Sequence, residues 1–255
     1  MGSPRPATAS RRWLPHQHGA WAMLAVPFLI GVAASALGPW QLVLAGASVA
    51  GYLASATAQS ALRARHRAPF VVPLGVYAAA FGALALALVA AFPGLLLTLA
   101  VLGPATALIV TGAKPGTRRD LANSLGQVVQ ALVLVPSAAW VSGTFDAGRV
   151  ALATGVSAAY LLGTVLVVRS VLRERSSRTF TAFSTAFHGL LAVAAVLLGP
   201  AWVVLAIGLA VRAAALPSAA RRLNGTPRAL KPVHVGAVEA VAAVAVVATA
   251  FLAFP

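Results

Sequence analysis

Nine stretches of about 20 apolar residues each follow one another through this chain, and a helix of about that length spans a bilayer core. They lie at roughly 20–37, 40–62, 69–91, 94–112, 121–141, 149–170, 180–199, 200–217 and 233–253. So much apolar sequence constrains the fold severely, because every backbone polar group inside hydrocarbon needs a partner within the protein. The expected fold is all-α, a polytopic transmembrane bundle of about nine helices, with residues 1–19 as a basic cytoplasmic segment and 20–255 as one transmembrane domain. The breaks between segments have turn chemistry: Gly38-Pro39, Pro93-Gly94 and Gly199-Pro200 mark tight turns, and Lys114-Pro115-Gly116 and Asn224-Gly225-Thr226-Pro227 mark longer loops. Composition agrees, with 60% hydrophobic residues, 9% charged residues and a mean hydropathy of +0.90. The sequence holds no cysteine, which excludes disulfides, thiolate metal sites and covalent c-type haem. The run SRRWL at 10–14 with ASA at 34–36 imitates a twin-arginine signal. It is not read as one, because PHQHG interrupts the join and further apolar segments follow.

Charge is distributed as unevenly as hydropathy. The chain has 19 Lys and Arg, 4 Asp and Glu and a formal net charge of +15. Because the basic residues sit between apolar segments, they point to membrane topology rather than to nucleic acid. Arg5, Arg11 and Arg12 precede the first span, Arg63, Arg65 and Arg67 follow the second, and Lys114, Arg118 and Arg119 follow the fourth. Arg169, Arg173, Arg175 and Arg178 follow the sixth, and Arg212, Arg221, Arg222, Arg228 and Lys231 surround the end of the eighth. With nine spans all of these fall on one side and only Arg149 on the other. The positive-inside rule then places the N-terminus in the cytoplasm and the C-terminus outside.

Polar residues within the spans form stripes at helical spacing. Ser48, Tyr52, Ser55 and Gln59 share one face of span two, Asn123, Gln127 and Gln130 one face of span five, and Thr181, Ser184, Thr185 and His188 one face of span seven. Glu239 is the only acid inside a span, which makes it either a functional ionisable group or half of a buried ion pair with a nearby arginine. His234 lies about a turn and a half before it. The stripes fall mostly in the cytoplasmic halves, so the expected picture is one polar cavity open to the cytoplasm. Arg169 and Arg173, one turn apart at its mouth, suit a phosphate or carboxylate. The opening stretch WLPHQHGAW puts His16, Gln17 and His18 where chain enters membrane, either as ligand contacts or as an interfacial cap beside Trp13 and Trp21.

The segments PHQHGAWAMLAVPFLIG, VVRSVLRER, AFHG at 186–189 and LKPVHVGAVEA at 230–240 together resemble the YwiC-like family of bacterial integral membrane proteins. QHGAW is the most specific part. That resemblance implies a membrane-embedded chain and carries no established catalytic residues to it. The chain is also more loosely similar to the UbiA superfamily of membrane prenyltransferases. This second resemblance implies nine helices, a cytoplasmic N-terminus and a cytoplasm-facing central cavity, with aspartate-rich loops after helices two and six holding Mg²⁺ and a prenyl diphosphate. The corresponding loops here read LRARHRAPF and VRSVLRERSSRTF. They are basic where those are acidic, and one Glu174 among arginines cannot supply the usual pair of carboxylates for Mg²⁺. The loop KPGTRRD does keep a basic cluster in Lys114, Arg118 and Arg119.

Three functional classes remain open at this point. The first is a module binding a membrane lipid or an anionic or isoprenoid amphiphile, acting as a binding protein or as a metal-independent UbiA-like transferase. The second is a proton-coupled transporter using Glu239 and His188, and the third a quinone- or haem-associated redox component using the histidines. Glu239, His188 and His18 are the candidate chemical groups. The candidate ligand contacts are His16, Gln17, Gln59, Arg63, Lys114, Arg118, Arg119, Asn123, Gln127, Gln130, Arg169, Arg173, Ser184 and His234. No metal site and no particular cofactor follow from these residues.

Overall fold

The computed structural model describes residues 13, 18–111, 121–226 and 229–254, and all regular structure among them is helical. The helices are α1 (His18–Ala33), α2 (Pro39–Arg63), α3 (Ala68–Ala91), α4 (Leu99–Thr111), α5 (Leu121–Leu132), α6 (Leu134–Val141), α7 (Ala147–Leu172), α8 (Arg178–Ala194), α9 (Pro200–Arg222) and α10 (Pro232–Ala253). Short 3-10 segments, Pro93–Thr98 and Ala195–Leu198, lead into α4 and end α8. Seven helical segments are long and apolar enough to cross a membrane, and the shorter apolar segments Trp21–Ala33 and Pro93–Ile109 fill the two remaining places in the order expected from sequence.

Local chemistry explains where helices start and break. Proline stands in the first turn of α2, α3, α9 and α10, where its missing N–H has no intrahelical partner to lose. The Asp146 carboxylate accepts from the Arg149 backbone N–H at 2.8 Å to start α7, and the Ser177 hydroxyl accepts from Phe180 N–H at 3.1 Å to start α8. Gly199, at φ +105°, makes the reversal between α8 and α9 in a conformation that L side chains rarely adopt. The fifth span is two helices rather than one. Pro136 has no N–H to give the Leu132 carbonyl and its ring would clash there, so the ladder breaks at Val133, whose own carbonyl receives the Ser137 hydroxyl at 2.8 Å.

Two departures from the sequence expectation bear on the site. The eighth span does not end at 217: α9 continues through Pro217 to Arg222. Arg212, counted in sequence with the basic face near the end of this span, therefore lies about 15 Å from the helix end at 1.5 Å per residue, and is 8% exposed. Further, α2 and α3 form a hairpin packed chiefly on itself, touching the rest of the bundle through α1, α6 and the 3-10 segment before α4. The polar stripe of α2 consequently faces neither α8, α9 nor α10. At the centre of the bundle α1 packs against α6, α7 and α10, with Val26, Ile30, Val135, Leu161 and Val246 almost wholly buried. Helix association in lipid relies on close packing rather than on water expulsion, and Gly31 shows how close this is. A Cβ there would stand 2.7 Å from the Val135 carbonyl oxygen.

Candidate functional site

Four helices converge on one buried polar cluster. Glu239 of α10 meets Arg212 of α9 with Nη1 donating to Oε2 at 2.8 Å, and the Thr164 hydroxyl of α7 donates to the same oxygen at 3.1 Å. One turn earlier on α7, Tyr160 directs its hydroxyl to the Glu239 backbone carbonyl at 3.4 Å. On the other side His188 of α8 lies 3.5 Å from Arg212 Nη2 through its Nε2, while its Nδ1 is 2.7 Å from the Ser184 carbonyl. A carbonyl only accepts, so Nδ1 carries the proton and Nε2 accepts from the guanidinium. Glu239, Arg212 and His188 are 7%, 8% and 2% exposed. Bringing a guanidinium and a carboxylate this far from water is costly unless they meet, and the pair does meet, although Arg212 Nε and Glu239 Oε1 find no hydrogen-bond partner among the described residues.

A glycine makes room for the imidazole. A Cβ at Gly163 would lie 2.8 Å from His188 Nε2. Gly163→Ala is expected to push His188 off Arg212 and to lower stability by about 1–3 kcal/mol, the cost of overpacking. Thermal melts checking this should find the loss largely absent in a His188→Ala background, where the space is open. Equal losses in both backgrounds would mean that Gly163 and His188 are independent.

The cluster forms the polar end of a cavity of about 290 Å³ enclosed by α7, α8, α9 and α10. Tyr160, His188 and Arg212 stand at that end, and the walls are apolar, including Ala159, Leu191, Trp202, Leu205 and Leu209. The cavity reaches the bundle flank between α7 and the end of α8, where its lining residues Leu152, Gly155, Ala194 and Leu198 are exposed. A second hollow, of about 340 Å³, lies at the C-terminal ends of α7 and α9 and is lined by Arg173, Arg175, Ser176, Arg221 and Asn224. Between the two stands a packed layer in which Val167, Val171 and Ala213 are each 0% exposed. In place of the single polar cavity expected from the sequence stand an apolar chamber with a polar end and a separate basic pocket, and neither is lined by the polar stripes of α2 or α5.

Of the residues singled out in sequence, Glu239, His188 and the Ser184 carbonyl come together. Arg169 and Arg173 part company: Arg169 turns to Glu174 at 3.4 Å, while Arg173 lines the basic pocket. Gln59 bonds Ser55 at 3.4 Å within α2, and Gln130 bonds Thr106 on α4 at 3.2 Å. Asn123 is buried and Gln127 half-buried on α5, which packs against α1, α4 and α7 rather than beside Glu239. His234 accepts from the Lys231 backbone N–H at 3.3 Å at the exposed start of α10. His16, Gln17, Lys114, Arg118 and Arg119 lie outside the described residues, as do the side chains of His18 and Arg63. Sequence reasoning passed over Arg212, Tyr160 and Thr164. Arg212 falls within the eighth span at 200–217, where an intramembrane cation needs a partner, and Glu239 is the one acid inside the spans.

Fold and cluster together define a multi-pass helical membrane protein with an ion pair buried among its helices. The chain belongs to the YwiC-like family. The family model described as YwiC-like protein matches residues 14–139. The chain is also 30% identical over 196 residues to the uncharacterized protein YwiC of Bacillus subtilis (strain 168), covering 76% of this chain and 81% of that one. No solved structure matches it. The family match covers α1 to α6, so the polar cluster, carried by α7 to α10, lies in the other half of the chain.

Proposed function

We propose that this protein binds a lipid-soluble amphiphile of the isoprenoid or membrane-lipid class, with its apolar body in the chamber between α7 and α10 and its polar head against Tyr160, His188 and Arg212. The observation that carries the reading is the combination of apolar walls with three hydrogen-bonding side chains at one end, the usual composition of a small-molecule site. The character of the head follows from the ion pair. Arg212 is already neutralised by Glu239 at 2.8 Å, so a second full negative charge would compete with the carboxylate. A carbonyl or hydroxyl head that only shares hydrogen bonds meets no such competition. Entry is sideways from the bilayer, past Leu152 and Leu198. The orientation that fits is the positive-inside one, with the basic pocket toward the cytoplasm. No bond-making step is attached to this reading.

The test is native mass spectrometry of the full chain gently extracted from its own membranes, with an absorption spectrum on the same sample. Gly155 lines the chamber and a Cβ there meets nothing within 4 Å, so Gly155→Leu should fill the space without disturbing the fold. The expected result is a retained small lipophile in the parent chain that is lost in Gly155→Leu at unchanged melting temperature. Bulk phospholipid alone in both proteins would overturn the reading. The buried Arg212–Glu239–His188 group would then favour proton-coupled transport, measurable as a flux in liposomes that disappears in Glu239→Gln.

A further inference from the structure

We propose that the hollow at the C-terminal ends of α7 and α9 is a site for a phosphate-type anion, distinct from the lipophile chamber. Arg173 and Arg175 come from the connection after α7, Arg221 from the last turn of α9, and Ser176 and Asn224 supply neutral polar groups around the same space of about 340 Å³. Arginines gather at helix C-termini partly because the last carbonyls need donors, and that role is visible here. Arg175 donates through Nε to the Val171 carbonyl and through Nη2 to the Leu230 carbonyl. Arg221 donates from Nη1 to the Thr181 hydroxyl at 3.0 Å and from Nη2 to the Ser218 hydroxyl at 3.4 Å.

All four of these acceptors are neutral. They orient the guanidinium groups while leaving their charge uncompensated, and each guanidinium carries five N–H donors. The acids among the described residues are engaged elsewhere. Glu174, the nearest in sequence, pairs with Arg169, Glu239 pairs with Arg212, and Asp146 caps α7 at its opposite end. Among the described residues no carboxylate lies within 4 Å of Arg175 or Arg221. Oriented forks with surplus positive charge, in a hollow large enough for a small anion, are what recognition of a phosphoryl group requires. The packed layer of Val167, Val171 and Ala213 separates this site from the chamber, so it stands or falls independently of the lipophile reading.

The same chemistry is offered by a soluble phosphorylated compound and by a lipid headgroup, and the experiment separates them. The full chain is reconstituted in nanodiscs of phosphatidylcholine alone and titrated with inorganic phosphate, following melting temperature and calorimetric heat. A parallel sample in phosphate-free buffer carries a minor fraction of phosphatidic acid. The variants are Arg173→Gln and Arg221→Gln, with Arg222→Gln as a control that removes equal charge from an exposed neighbour outside the hollow. The expected result is stabilisation by at least one probe, with apparent affinity weakened roughly tenfold in the two pocket variants and unchanged in Arg222→Gln. A response to free phosphate assigns the site to a soluble ligand, and a response to phosphatidic acid alone assigns it to a headgroup. No stabilisation by either probe, or equal weakening in all three variants, would overturn the proposal. A pocket variant that fails to fold is replaced by Arg221→Lys, which keeps the charge, loses the fork and should still weaken binding.

Discussion

Glu239→Ala is expected to destabilise the bundle by about 3–5 kcal/mol, the usual consequence of removing one partner from a buried ion pair. The carboxylate is the group that compensates Arg212, through a 2.8 Å contact at a place where both residues are more than nine-tenths shielded from solvent. Without it the guanidinium keeps only neutral neighbours, His188 at 3.5 Å and the Tyr160 hydroxyl. Packed valines stand on one side of it and the apolar walls of the chamber on the other. Arg212→Ala should cost a similar amount by stranding the carboxylate with Thr164 alone. The double replacement Arg212→Leu with Glu239→Leu should recover most of either loss, because it leaves no charge to bury. Reversible unfolding in mixed micelles, compared across the three variants, checks this. If Glu239→Ala melts with the parent chain, the ion pair is not what holds α9 to α10.

Gly31→Ala should come next in effect, at the upper end of the about 1–3 kcal/mol expected for overpacking. Most small-to-large changes are relieved by a side chain moving aside. Here the added methyl would meet the Val135 carbonyl oxygen at 2.7 Å and its Cα at 2.9 Å, so α1 itself would have to move off α6. That movement would open the centre of the bundle, where Ile30 and Val135 are each 0% exposed. Ala138→Gly, which removes the third neighbour at 3.0 Å, should rescue little, since the backbone contacts persist. Melting temperatures of the single and double variants decide it; a Gly31→Ala protein as stable as its parent would mean that the two helices are not in backbone contact.

The polar stripes read from sequence had unequal fates for a physical reason. On α8 the stripe of Thr181, Ser184, Thr185 and His188 reported an inward face, with Thr185 half-buried and the other three buried while Phe183 and Leu190 are exposed. On α2 the same spacing marked residues that bond within their own helix, as Ser48 to the Leu44 carbonyl and Gln59 to Ser55. Spacing shows which side chains share a face. It carries no record of whether a neighbouring helix, and which one, lies opposite.

By itself the sequence determined the helical class, the order of the spans and most of their ends, because bilayer length, proline, glycine and capping hydroxyls act over one or two turns. Tertiary structure alone decided that Arg212 belongs to Glu239 and that valines of α7 stand between the apolar chamber and the basic pocket. In a soluble helix the polar face points away from the core and tells which side is buried. In α7 and α10 the exposed side is as apolar as most of the buried side, polar residues such as Tyr160, Thr164 and Glu239 apart, so the faces that meet were set by shape, by glycines such as Gly31 and Gly163, and by the need of one buried charge for another.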